Sequence, residues 1–169
     1  MSRQSLLAFL VPFAAIFSAG VVLFFVSQPT GIPRGEPVVT AVNDVHLEEP
    51  FVRIEGMAHY GALVRQRVPP RFPWQEVERF FLFPIFAEHA ARDRAIRVLV
   101  RTKREPERFV HYEYMAVEGR LVRPTDETLP YSTEVEMGKK TDYFFTDELL
   151  ILEPWRIEAE DEVWEIEQR

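Results

Sequence analysis

The chain has 169 residues, a formal net charge of −7 and no cysteine. The negative charge argues against general nucleic-acid binding, which needs a basic surface. The missing cysteine excludes disulfides, thiol nucleophiles and thiolate metal sites. Once an apolar N-terminal stretch and its linker are set aside, about 120 residues remain, which is enough for one domain with its own core.

The N-terminal stretch 6–26 begins at Leu6, ends at Val26 and contains no charged residue. At about 1.5 Å per residue, a helix of this length spans roughly the 30 Å of a bilayer's hydrocarbon core. A cleaved signal peptide is the rival interpretation, but the apolar run is longer than the apolar region of such signals. We therefore predict a transmembrane helix over 6–26, in which the small residues Ala15, Ser18 and Ala19 offer a surface for docking another helix.

The charges that flank this segment predict its orientation. Residues 1–5 carry Arg3 and the amino terminus without an acidic residue, whereas residues 27–50 carry Arg34 against four acidic residues. The positive-inside tendency places residues 1–5 in the cytoplasm and the C-terminal domain in the periplasm or another extracytoplasmic space. The chain is thus predicted to be a single-pass membrane protein in contact with the lipid bilayer, and its oligomeric state stays open.

Residues 27–49 are predicted to form a linker, because prolines and glycines interrupt any sustained apolar period. Between residues 50 and 154, several segments alternate apolar and polar residues or form short apolar runs, as β-strands do. The segments are 51–57, 62–68, 80–86, 95–102, 111–122 and 143–152. We expect bulges or bends at Gly56 and Gly119, a loop over 124–140 and a strand end at Pro154. The pattern predicts a mainly β fold of five to six strands, either a small OB-like closed barrel or a meander.

Two blocks of opposite charge stand out. Residues 92–108 hold seven basic residues against three acidic ones, and residues 153–169 hold seven acidic residues against two basic ones. The blocks either neutralise each other across neighbouring strands or bind different surfaces, the basic one an acidic partner or lipid headgroups. Under the second interpretation the partner-binding residues are Arg97, Arg101 and Arg104, with Trp155 and Trp164 of an acidic tail over 155–169. The two tryptophans indicate that this tail packs on the domain or on a partner.

Catalytic and metal-binding motifs are missing from the sequence. The four histidines lack the spacing of a helical zinc site, and no nucleophile elbow or phosphate-binding glycine loop occurs. His59 and His111, carried on two strands, are candidate ligands for haem or a metal if the strands are neighbours, with hydrogen-bonded structural histidines as the alternative. Glu55, Glu113 and Glu118 are the candidate carboxylates of a hydrolase. We predict that the chain is not an enzyme and binds no cofactor or metal.

The anchor is followed in order by VRIEGMA, FFLFPIF, RVLVRT and MAVEGRLVRP. This order resembles the surfeit-locus family of cytochrome-oxidase assembly proteins over roughly residues 52–124. The chain departs from the family at Thr102 and Lys103, which stand where the family has Gly-Trp after its arginine, and in lacking the family's second transmembrane helix. The resemblance implies an anchored OB-like barrel that assists the assembly of a membrane complex, with a respiratory complex as the first expectation.

The sequence VEGRL at residues 117–121 is also similar to a strand of the OB-fold haem chaperones of cytochrome c maturation. In that family the haem-attaching histidine follows the strand, whereas this chain has no histidine after His111. We therefore reject haem attachment by that route. The sequence predicts an assembly factor or accessory subunit of an integral membrane protein complex. A binding module for a small ligand or haem and an anchored hydrolase are the alternatives.

Overall fold

The computed structural model describes residues 35–49, 51–70, 72–87, 94–106, 111–159 and 162–165, with backbone alone for Glu162 and Trp164. The predicted transmembrane segment 6–26, including Ala15, Ser18 and Ala19, lies outside these described residues. Within the described ranges, no helix is both long enough and apolar enough to cross a membrane.

The described chain is mainly β, which confirms that part of the fold prediction, but its strands outnumber the five to six expected. Eight strands and one α-helix are present in the described ranges. The strands are β1 (Val38–Ala41), β2 (Phe51–His59), β3 (Val64–Val68), β4 (Glu78–Phe86), β5 (Ala95–Thr102), β6 (Tyr112–Val122), β7 (Phe144–Ala159) and β8 (Glu162–Glu165). Helix α1 (Tyr131–Lys140) lies between β6 and β7, and 3-10 turns span Val42–Asp44 and Tyr60–Ala62.

Five strands form a partly closed ring in the order β2-β6-β7-β5-β4. A short pairing of Met57 with Phe86 and of Ala58 with Ile85 joins β4 back to β2. All neighbours in the ring are antiparallel except β5 and β7, which are parallel. Because β3 pairs with the same edge of β4 as β2 does, β2 and β3 behave as one strand interrupted by the Tyr60–Ala62 turn. The four strands β6-β2-β4-β5 have the order of a Greek key.

Successive residues along each strand point to opposite faces of the sheet, and the apolar residues of the two faces form two separate cores. Val52, Ile54 and Phe83 are among the residues that fill the ring interior. On the outer face, Leu82 packs in a second cluster that includes Met137 of helix α1. Residues 131–140 were expected to form a loop, and that expectation was wrong. The helix is hard to recognise because it buries only Thr133 and Met137 and has no side-chain N-cap.

Gly56 and Gly119 lie where two backbones approach closely. A Cβ on Gly56 would stand 2.3 Å from the carbonyl oxygen of Phe86, and one on Gly119 would stand 2.4 Å from that of Glu153. The pairing of β6 with β7 shifts register between Glu118 and Gly119, which confirms the bulge predicted there. At Gly56 the register with β6 is continuous, so this glycine allows β4 to approach and close the ring.

The sheet extends beyond the predicted bounds at both ends. Val38–Ala41 lies within the predicted linker 27–49, yet it pairs in parallel with β2. At the other end β7 continues through Pro154 to Ala159, and β8 turns back along it. Pro154 is tolerated because it lies at the bulge, where the hydrogen-bond ladder is already interrupted. Residues 155–159 and 162–165 therefore contribute to the sheet, and the expectation that the strand ends at Pro154 was wrong.

Candidate binding groove

The arginines predicted to bind a partner are largely engaged within the chain. Arg97 Nη1 lies 3.3 Å from Glu148 Oε2, and Arg101 Nη1 lies 3.3 Å from an oxygen of Glu153. The Arg101 side chain is 10% exposed and lies 3.5 Å above the Phe80 ring, and burial lowers its pKa although Glu153 opposes the shift. The Arg101–Glu153 contact joins the two charge blocks, as the neutralisation alternative predicts, whereas Glu148 lies outside the acidic block. Arg101 is therefore poorly exposed to a partner.

The remaining predicted partner residues lie apart from one another. Arg104 is exposed in the turn after β5, and its backbone N–H donates to Thr102 Oγ1 over 3.2 Å. Trp155 is 6% exposed because the β6–β7 bulge turns it onto Phe51, with ring centroids 4.8 Å apart. Its assignment to a partner contact is therefore corrected to a packing role. Trp164 lies on β8, where its backbone pairs with Ile157.

His59 and His111 come together where β2 ends and β6 begins. A Cβ on Gly61 would stand 2.6 Å from His59 Nε2 and 3.4 Å from His111 Nδ1. The His59 ring stacks on Tyr112 at 4.3 Å, and burial, with a smaller effect of His111, lowers the pKa of His59. Among the described residues, no group of three or more metal-binding side chains comes together. The arrangement favours a packed, neutral His59 over a ligand for haem or a metal.

The three candidate carboxylates do not converge on one site. Glu55 and Glu118 both bind Arg53 on the outer face of the sheet, at 3.1 and 2.7 Å. Glu113 faces the ring interior, where it accepts a 3.0 Å hydrogen bond from the hydroxyl of Tyr60. Burial raises the pKa of Tyr60, and Glu113 adds to that shift. Because hydrolysis by a carboxylate pair requires both groups beside one bond, this geometry gives no support to the hydrolase alternative.

A groove of about 510 Å³ lies beside the first half of β7. Three segments line it: residues 45–47 after the first 3-10 turn, residues 123–124 with Glu134 of α1, and residues 145–150 of β7. Its volume is in the range of known small-ligand pockets. The sequence did not identify this site, because its lining comes from three parts of the chain.

An irregular stretch of β7 forms one part of the groove. The pairing of β7 with β5 jumps from Ile96 opposite Phe145 to Val98 opposite Leu150, and the pairing with β6 starts only at Ile151. Residues 146–149 therefore pair with neither neighbouring strand. Thr146 Oγ1 donates to the carbonyl oxygen of Ile96 over 3.2 Å, which holds the bulge against β5. Bulges of this kind are common beside functional sites, because they change the direction of side chains and end the pairing.

The groove combines an apolar base with charges of both signs. Leu149 and Leu150 are buried, whereas Arg123 and Asp147 are exposed and Glu134 is partly exposed. Within the described ranges, none of these three charged side chains has an ion-pair partner. Such a surface suits a ligand that carries both apolar and charged groups, such as a peptide segment.

Comparison with protein-family models, curated proteins and solved structures finds no match for this chain. A β fold by itself is compatible with many functions. The contacts and charges of the groove are the features of this chain that indicate a function.

Proposed function

We propose that the chain is a membrane-anchored, extracytoplasmic and non-catalytic OB-like domain that serves as an assembly factor or accessory subunit of a membrane protein complex. The groove beside β7 carries this proposal, because exposed Leu47 lines it together with three charged side chains that form no ion pair within the described ranges. The uncharged segment 6–26 supports the anchor. The partly closed five-stranded ring with a Greek-key order supports the OB-like fold.

The groove suits an extended segment of the partner that carries an apolar residue and a basic residue. Glu134 and Asp147 together outnumber Arg123, so the unpaired charge of the groove is negative. Residues 146–149 border the groove without a register partner on either neighbouring strand, the arrangement that recognition by strand addition requires. A partner segment of this kind would contact side chains and backbone together.

The likeness to the surfeit-locus family supports a respiratory complex as the first candidate partner. The segments that carry the likeness lie on β2, β4, β5 and β6, which are four of the five ring strands. The separation of Glu113 from Glu55 and Glu118 supports a non-catalytic role. No described contact favours the haem-binding or hydrolase alternatives.

Photo-crosslinking from within the groove tests the proposal. A photoreactive residue replaces exposed Leu47, which lines the groove, and the matched control replaces exposed Val163 on β8. In native membranes we expect the probe at position 47 to label one integral membrane protein, identified by mass spectrometry, and the substitution Asp147→Lys to remove the labelling. Equal labelling from both positions, or labelling that Asp147→Lys leaves unchanged, would contradict the proposal.

A further inference from the structure

The hairpin of β3 and β4 ends in an exposed aromatic tip, which we define as Phe72, Trp74 and Val77. Phe72 is 50% exposed and Trp74 is 79% exposed, yet the two rings stack with centroids 5.0 Å apart and an interplanar angle of 6°. None of the three residues belongs to either core cluster. Exposed apolar side chains whose rings stack on each other mark a surface that contacts something outside the domain.

A tight turn holds the aromatic tip in place. The backbone N–H of Gln75 donates to the carbonyl oxygen of Phe72 over 3.0 Å, and the N–H of Phe72 donates to Gln75 Oε1 over 3.3 Å. Pro73 occupies the second position of this turn, where its fixed φ is favourable. The turn therefore fixes the exposed arrangement of the two rings in the free protein, which lowers the entropic cost of docking.

Two arginines face each other at the base of this hairpin. Arg67 and Arg79 are cross-strand partners, and both are exposed. Neither forms an ion pair with any residue in the described ranges. Like charges in this position repel unless an anion binds between them. Residues 65–79 contain four arginines against two glutamates, so this region is basic in a chain of net charge −7.

We infer that the aromatic tip docks into the headgroup region of an anionic bilayer, with Arg67 and Arg79 bound to lipid phosphates. Tryptophan is enriched at this level of the membrane, and a guanidinium group binds phosphate in a bidentate manner. The inference rests on the anchor of the proposed function. Eleven residues, 27–37, separate the predicted helix from β1, and they span at most about 40 Å when extended. The domain is thus held within reach of the bilayer.

Fluorescence quenching in vesicles tests this docking. The chain contains no cysteine, so Glu76→Cys provides a single labelling site beside the aromatic tip, and Val163→Cys provides a matched site on β8. The full chain carries an environment-sensitive fluorophore and is reconstituted in phosphatidylcholine alone or with an equal share of phosphatidylglycerol. We expect a nitroxide-bearing lipid to quench the probe at position 76 in the anionic vesicles and to leave the probe at position 163 unquenched.

Substitutions at exposed positions then separate the contribution of the aromatic rings to docking from that of the arginines. Phe72→Ser combined with Trp74→Ser should abolish the quenching at position 76. Arg67→Gln and Arg79→Gln should each weaken docking about fivefold, and high salt should have the same effect. Tyr131→Ser, which removes another exposed aromatic residue from helix α1, should change nothing.

Three outcomes would overturn the inference. The first is equal quenching of the probe at position 76 in both kinds of vesicle, and the second is no quenching in either. The third is a probe that lipid does not quench and that becomes shielded from solvent only when a partner protein is added. Carbonate extraction of the same vesicles tests the transmembrane anchor separately. A chain that carbonate removes would refute the anchor of the proposed function, while quenching of the vesicle-bound chain still decides whether the tip docks.

Discussion

Replacing Gly56 with alanine tests the closure of the ring. The added Cβ would stand 2.3 Å from the carbonyl oxygen of Phe86 and 3.0 Å from Cγ1 of Ile85. A rotamer change cannot relieve a clash with backbone, so β2 and β4 must separate where only Met57 and Ala58 hold them together. Losing about two backbone hydrogen bonds, at roughly 1 kcal/mol each, and loosening the packing of Ile85 should lower the free energy of unfolding by about 2–4 kcal/mol.

The assay is urea unfolding of the full chain in mild detergent, followed by tryptophan fluorescence. Gly138→Ala in helix α1 is the matched control, because a Cβ there meets nothing within 4 Å. Alanine at this helical position should raise the free energy of unfolding by about 0.5–1 kcal/mol. The same chemical change thus has opposite effects at the two sites. A Gly56→Ala protein as stable as the native chain would refute the closure of the ring by the β2–β4 pairing.

Three further predictions concern the buried and paired polar groups. Arg53→Met should lower the free energy of unfolding by about 1–2 kcal/mol, because Arg53 binds three carboxylates including that of Glu158. Arg53 lowers the pKa of Glu158 below its usual 4.5, so the stability that this ion pair contributes should be lost as the pH falls below 4.5. The urea midpoint of the Arg53→Met protein should therefore fall less over this pH range than that of the native chain. Tyr60→Phe removes the hydroxyl that donates to Glu113 and should lower the free energy of unfolding by about 1–3 kcal/mol. Adding Glu113→Gln to this variant should restore part of that loss. Since the pKa of Tyr60 is raised above 10, native stability should fall as the pH rises above 10, and this variant should show less of that fall. Burial lowers the pKa of His59 below 6.5, so native stability should fall as the pH drops below 6.5, whereas His59→Gln should remove that dependence, and NMR titration of the imidazole checks the assignment.

Strands with a local pattern were predictable from the sequence. The segment predicted at 95–102 has the bounds of β5, and the bulge expected at Gly119 is present. In both cases the determining residues are neighbours in sequence. By contrast β1 is four residues long, and its exposed Val38 and Val39 show no period that distinguishes a strand from a linker. Its pairing with β2 determines its structure.

The candidate sites depend on contacts that are distant in sequence. The groove requires the register shift between β5 and β7, which places Leu149 near residues 45–47 and 123–124. The exposure of Trp74 depends on the pairing of β3 with β4, although Pro69, Pro70 and Pro73 before it indicate a loop. The sequence also cannot show that Glu153 binds Arg101, and this pairing removes Arg101 from the list of residues free to bind a partner.

Purification of the tagged full chain from its own membranes in mild detergent tests the central claim most directly. The account predicts that one integral membrane protein co-purifies in stoichiometric amount, that Asp147→Lys in the groove abolishes this association, and that Val163→Lys on β8 preserves it. A chain that runs alone, or a partner that Asp147→Lys retains in full, would contradict the proposal that the groove binds a subunit of a membrane complex.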